Sequence, residues 1–228
     1  MVNNKNLQML EVVNAALKKV SEKFVFVGGA TTALYLRENA LETVRPTDDV
    51  DCVIELISLI DFYALEKKLR VFGFVNSHQG PICRFTYCGI LVDIMPTDPK
   101  ILGFSNNWYT DGIQNAIEVK LPNKEKIKIF SEAYFLASKL EAFKGRGKNN
   151  FRDSSDIEDV VTVLEACPDL WIRLEQASIK VKTYLQNEFK KLLSNDLFIE
   201  SLSAHLSGGV NRQERADRVE QLLRDFVR

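Results

Sequence analysis

The sequence predicts an α+β protein, with an N-terminal mixed sheet and flanking helices over residues 1–130 and a helical C-terminal domain over 131–228. Three observations predict it. Short apolar runs at 24–28, 50–56 and 90–95 alternate with helical stripes in the first part. Two turn signals there, Cys88-Gly89 and Pro122-Asn123, each separate a pair of strand-like segments. From Ser131 onward no convincing strand follows, and apolar residues recur at helical spacing.

Taken in order, Leu7, Leu10, Val13, Leu17 and Val20 share one stripe of a helix over 7–20. Residues 24–28 read as a buried strand running into Gly28-Gly29, and 31–38 as a helix. A polar connection over 39–48 holds Pro46. A strand over 50–56 and a helix over 60–72 follow, with Gly73 as its C-terminal stop. Residues 82–87 and 90–95 form an antiparallel hairpin, 96–116 an irregular stretch rich in Asp, Asn, Gly and Pro, and 117–121 with 126–130 a second hairpin. Ser131-Glu132 caps a helix to about Lys144. Gly145-Arg146-Gly147-Lys148 breaks it, and 153–166 is the next helix. Two stripes close the chain: Ala177, Val181, Tyr184, Leu185, Phe189 and Leu192, then Val219, Leu222, Leu223 and Phe226.

At 228 residues, 46% hydrophobic and 27% charged, the chain has the composition of a globular protein able to bury a core. Thirty basic against 31 acidic side chains give a net charge of -1, so any nucleic-acid contact must come from a local patch. Four scattered cysteines without a CxxC pair and two histidines argue against structural zinc. A polar N-terminus without an apolar signal core, and no run long enough to span a bilayer, lead to the expectation of a cytoplasmic protein with free thiols and no membrane partner.

The chemistry concentrates in three segments. Residues i and i+2 of a strand face the same way, so Asp49 and Asp51 project together, about 6–7 Å apart, while Val50 and Cys52 face the core. Two such carboxylates repel, and a cation between them resolves the repulsion. Asp93 is an acid inside the apolar run Leu91-Val92-Asp93-Ile94, unexpected unless it faces a site. Magnesium takes oxygen ligands of this kind together with substrate phosphates. The bare i, i+2 spacing is weak, since roughly four such acidic pairs arise by chance at this composition. A solvated strand end is the plain alternative. What lifts the pair is its context, a Gly-Gly strand-to-helix turn before it and a third strand acid after it. Gly28 and Gly29 either turn the chain or let phosphate approach backbone amides. Thr31 or Thr32 could add a hydroxyl. Arg45 either contacts phosphate or is a surface arginine.

With these residues assembled, the chain resembles the nucleotidyltransferase fold superfamily: a strand, Gly28-Gly29, a helix, Asp49-Val50-Asp51, then Asp93 on a further strand. It looks closest to the AbiEii-type enzymes, many of them toxins of toxin-antitoxin pairs. That likeness rests on Arg45-x-Thr47-x-Asp49-Val50-Asp51, on Leu136-Ala137-Ser138-Lys139-Leu140-Glu141-Ala142-Phe143, and on Arg146-Gly147-Lys148 with Arg152-Asp153 and Asp156-Ile157-Glu158-Asp159. It spans roughly 24–165. The resemblance implies two Mg2+ held by Asp49, Asp51 and Asp93, with Asp93 as shared ligand or base. It implies an NTP on Gly28, Gly29, Thr31, Arg45 and Lys139, and an RNA, tRNA or protein hydroxyl as acceptor. An antitoxin partner is implied as well. Many active members carry serine after the first glycine, where Gly29-Ala30 stands here. The alternative is therefore a catalytically inactive nucleotide-binding or protein-interaction module on the same fold.

Lys139 has a second reading as a helix lysine with its stem along apolar surface. Asp153 suits a helix start, and Asp156 and Asp159, at i, i+3, suit a solvated face better than a role near the cleft. Lys139, Lys144, Arg146, Lys148 and Arg152, with Lys124, Lys126 and Lys128 on a strand face, could meet RNA phosphates or be ordinary surface cations. Trp108 and Tyr109 either stack a base or anchor their loop to the core.

Overall fold

A computed structural model describes residues 4–147, 149–206 and 210–228. Residues 1–3 of the polar N-terminus and Lys148 of the basic cluster lie outside the described residues. The chain divides into two compact units. One holds the stretch ending at Leu34 together with Pro46–Ser131, the other Tyr35–Arg45 and Glu132–Arg228.

The first unit is built on a seven-stranded mixed sheet. Its strands are β1 (Val25–Val27), β2 (Asp49–Ile54), β3 (Val75–Asn76), β4 (Arg84–Tyr87), β5 (Ile90–Pro96), β6 (Ile117–Lys120) and β7 (Lys126–Ile129). They run in the order β3-β4-β5-β2-β1-β7-β6. β2 lies at the centre, parallel to β5 and antiparallel to β1. Its Val50, Cys52, Val53 and Ile54 are buried while Asp49 and Asp51 are partly open. The β4–β5 turn has φ of 49° at Cys88 and 78° at Gly89, the two positive values that a tight type I′ hairpin requires. The second expected hairpin is present as β6–β7. Lys124 sits in its turn at φ 69° and is not on the strand face with Lys126 and Lys128.

Helix Lys5–Leu17 starts where the Asn4 side chain accepts from the N–H groups of Asn6 and Leu7, and it buries Leu10 and Val13 completely. The Asn6 side chain in turn accepts from the Thr47 N–H at 3.0 Å, which fixes the chain just before β2. Helix Leu59–Val71 is capped by Ser58. It ends in a Schellman motif: Phe74 N–H bonds Leu69 C=O, Gly73 N–H bonds Arg70 C=O, and Gly73 has φ of 92°. Phe74 then stacks on Tyr87 at 4.6 Å. Phe62, Leu65 and Leu69 face the core.

Two expectations change. The helix after Gly28-Gly29 is a 3₁₀ helix, Gly29–Tyr35, followed by another at Glu38–Thr43. The paired threonines, Thr31 and Thr32, are poor α-helix formers, and Thr31 closes the tighter turn by bonding back three residues. The irregular stretch at 96–116 contains two helices, Pro99–Leu102 and Tyr109–Gln114. Neither is long enough to show a period. The first is made by its ends, Asp98 as cap, Pro99 at the first position and Gly103 at φ 80°. Trp108 is buried and Tyr109 meets Phe130 edge-on at 6.2 Å, so these aromatics anchor the segment.

The second unit contains helices Glu132–Arg146, Ser155–Ala166, Leu170–Gln176, Ile179–Leu193, Asp196–His205 and Arg212–Phe226. Ile157, Val160 and Val161, with Leu185, Phe189, Phe198 and Leu223, form its core. Tyr35, from the 35–45 segment, packs on Phe135 at 4.7 Å. Ser154, not Asp153, caps the second of these helices. No helix among the described residues is long and apolar enough to cross a membrane.

Candidate active site

The parallel register between β2 and β5 sets Asp51 beside Asp93, and Asp49 lies two residues back on the same face. One carboxylate oxygen from each of the three lies within 4.8 Å of the others. Thr47 donates its hydroxyl to Asp49 Oδ1 at 2.6 Å and orients it. Gly28 follows β1, which pairs Val27 with Asp51. At φ 74°, a Cβ on Gly28 would stand 1.9 Å from Asp51 Oδ2. The glycine leaves the space in which that carboxylate sits. Thr31 turns its hydroxyl to the Gly28 carbonyl at 2.9 Å and is fully buried, so it shapes the bend. Thr32 is equally buried.

The fit to magnesium follows from the donors. Three hard carboxylate oxygens converge within 4.8 Å, one of them on a side chain that the glycine makes room for, and such a donor set is the chemistry that a small divalent cation takes up.

Arg84, which no motif in the sequence marks, joins the site. It lies opposite Asp93 across the β4–β5 hairpin. Its Nε and Nη2 donate to the two oxygens of Asp93, each at 2.7 Å, and Nη2 lies 3.6 Å from Asp49 Oδ2. The hydrogen bond to Asp93 raises the pKa of Arg84 still further above its ordinary value, so the guanidinium is a permanent charge. A signal for this was available. The two-residue turn at Cys88-Gly89 fixes the register, and counting outward from it pairs 87 with 90 and 84 with 93. Behind the triad, burial pushes up the Cys52 and Cys83 thiols, and Asp51 and Asp93 add to the effect. Cys52 is raised well above its ordinary value and Cys83 to about 12, so neither supplies a thiolate.

Lys139 and Arg45, expected at the triphosphate, lie in the helical unit and meet acids there. Lys139 Nζ is 2.6 Å from Asp159 and 3.4 Å from Asp156. Arg45 reaches Glu158 at 3.3 Å and Asp159 at 3.6 Å, and Arg146 forks onto Asp156 at 2.7 and 2.8 Å. Asp156 and Asp159 are not on a solvated face. Both are buried, and they hold this network together. Burial acts to raise the Asp156 pKa, but the Arg146 hydrogen bonds and the Lys139 charge outweigh it and keep it below the ordinary carboxylate value.

The sequence matches no protein-family model and none of the curated proteins. Solved structures do match. The chain is similar to an antigenic nucleotidyltransferase-like protein from Paracoccidioides brasiliensis, with a TM-score of 0.51 and 21% identity over 90% of this chain and 95% of that one. The antibiotic-resistance factor ANT(2'')-Ia aligns at 0.49, with 12% identity over 82% of this chain and 94% of its own. The chain therefore has a nucleotidyltransferase-like α+β fold.

Proposed function

We propose that this chain is a magnesium-dependent nucleotidyltransferase that moves a nucleoside monophosphate from an NTP to a hydroxyl of an RNA or tRNA end, or of a protein side chain. The observation that carries this reading is the convergence of Asp49, Asp51 and Asp93 within 4.8 Å, beside a glycine whose missing Cβ makes the room. Bound magnesium supplies charge neutralisation of the triphosphate and a more acidic acceptor hydroxyl. Asp49 and Asp51, on one face of β2, would hold it, and Thr47 keeps Asp49 turned to the site. In the transfer, the acceptor oxygen bonds the α-phosphorus and the bond to the β-phosphate oxygen breaks. Pyrophosphate leaves, and the hydroxyl proton passes to a carboxylate of the triad. Positioning and charge account for most of the rate in such reactions. Gly28 and Gly29 would admit the phosphates to the bend before the 3₁₀ helix. Lys139 and Arg45 would serve the nucleotide only by leaving their acidic partners, so we assign them to holding the helical unit.

The test is incubation with each α-labelled NTP, Mg2+, total RNA and total protein. Labelled RNA or protein is expected from the parent, with none from Asp49→Ala. No label in either pool, with Asp49→Ala equal to the parent, would sink the reading. Retained nucleotide binding without transfer would favour the alternative, an inactive nucleotide-binding module, which Ala30 after Gly28-Gly29 also supports. The finer reading as the toxin of a toxin-antitoxin pair predicts growth arrest on expression, relieved by the product of a neighbouring gene.

A further inference from the structure

The cation that three crowded carboxylates require is already partly built into the chain. Arg84 grips Asp93 through a two-pronged fork, using both oxygens, and extends Nη2 toward Asp49. Planar forks of this kind are among the strongest side-chain pairings. The Asp93 side chain is only 9% exposed and that of Arg84 23%, so the pair is largely withdrawn from water and costly to separate. The fork is also held in place from behind. Arg84 N–H bonds the Pro81 carbonyl, and the Arg84 carbonyl accepts from the Ser77 N–H. Gly80, at φ 97°, leaves the room in which the Arg84 side chain lies, since a Cβ there would come within 3.1 Å of its Cδ.

Asp51, Asp93 and Arg84 thus form a row across β2, β5 and β4, with acid, acid and guanidinium on neighbouring strands. Three carboxylates and one guanidinium sum to a charge of -2, which one divalent ion neutralises. A second ion shared by Asp93 would have to compete with a guanidinium that already uses both of its oxygens. We propose that Arg84 stands in for the second of the two magnesium ions, so that the free protein binds one divalent ion, on Asp49 and Asp51, while Asp93 serves to hold Arg84. This rests on the transferase reading and makes Arg84 a positioning residue of that same site.

The test counts ions. The whole chain is titrated with Mn2+ alone, and the free ion is followed by electron paramagnetic resonance. One Mn2+ per chain is expected for the parent, none for Asp49→Asn, and one for Asp93→Asn. Arg84→Gln, which frees Asp93, is expected to bind two, with circular dichroism confirming that each variant is folded. The parent count is decisive only together with those of Asp93→Asn and Arg84→Gln, since a second ion that needs the triphosphate would also leave one ion on the free parent. An Arg84→Gln count that stays at one overturns the role of Arg84. Two ions on the parent, or loss of the ion in Asp93→Asn, overturns the role of Arg84. If labelled nucleotide is still transferred in that case, the transferase reading stands without it. No ion on the parent, with or without transfer, removes the proposal, and without transfer it removes the reading as well.

Discussion

In the helical unit three cations, Arg45, Lys139 and Arg146, meet three acids, Asp156, Glu158 and Asp159. At the centre of the sheet Asp49, Asp51 and Asp93 gather, and Arg84 meets two of them. The first set is balanced, and its centre is deeply placed, with side-chain exposures of 8% for Lys139, 3% for Asp156 and 2% for Asp159, while Arg45, Glu158 and Arg146 close it from the more open side. The second carries excess negative charge, and the Asp49 side chain keeps 33% of its surface open. Buried charge survives folding only when it is matched and hydrogen-bonded. A balanced cluster therefore needs no further ligand, whereas an unbalanced and accessible one is suited to take a cation. On this contrast the helical network reads as structural, and the sheet cluster is the site we propose for the metal.

The largest expected effect tests the helical side. Lys139→Met leaves Asp156 and Asp159 short of a cation, and thermal or urea unfolding should show a loss of about 3–5 kcal/mol. If stability moved by less than about 1 kcal/mol while transfer vanished, the lysine would belong to the nucleotide after all and the contrast would break. Asp49→Asn should do the reverse. Removing one of three crowded acids should leave stability within about 1 kcal/mol of the parent, while transfer falls about 10²–10³-fold. Gly28→Ala sharpens the sheet side. Its Cβ would meet Asp51 Oδ2 at 1.9 Å, and its φ of 74° suits glycine. Displacing the carboxylate by about 1 Å should lower kcat/KM about 10²-fold, and the backbone should lose about 1–2 kcal/mol of stability. A variant with parental kinetics would mean that Asp51 does not need its present position.

The smallest effect concerns pH. Asp156 has its pKa depressed below the ordinary 3.8. Its contribution to stability is therefore complete above that value and lost as pH falls through the lower, folded-state value. Unfolding free energy followed from pH 6 to pH 2.5 should show an acid loss that Asp156→Asn lacks. An identical slope in the variant would remove Asp156 from the network's energetics.

Much of the sheet site was legible because its signals are local. Period-two spacing placed Asp49 and Asp51 together, an acid in an apolar run marked Asp93, and Gly28 marked the bend. Parallel pairing of β2 with β5 was not legible, since nothing in either segment names its neighbour. The helical network was hidden for the same reason. Lys139 meets Asp156 and Asp159 across two helices, and a lysine or aspartate on a helix gives no sign of being buried until its partner is known. The 3₁₀ geometry after Gly28 and the short helices near Pro99 and Tyr109 depend on end contacts too brief for periodicity.

The stretch Tyr35–Arg45 is threaded into the helical unit although both of its neighbours in sequence belong to the sheet. It brings the ring that lies on Phe135 and the guanidinium that faces Glu158 and Asp159. A fragment beginning at Glu132 would lack both, and an amino-terminal fragment would carry an orphaned loop. A cut at residue 131 should therefore cost the carboxy-terminal piece the Tyr35 and Arg45 contacts and lower its stability below that of the same helices in the whole chain.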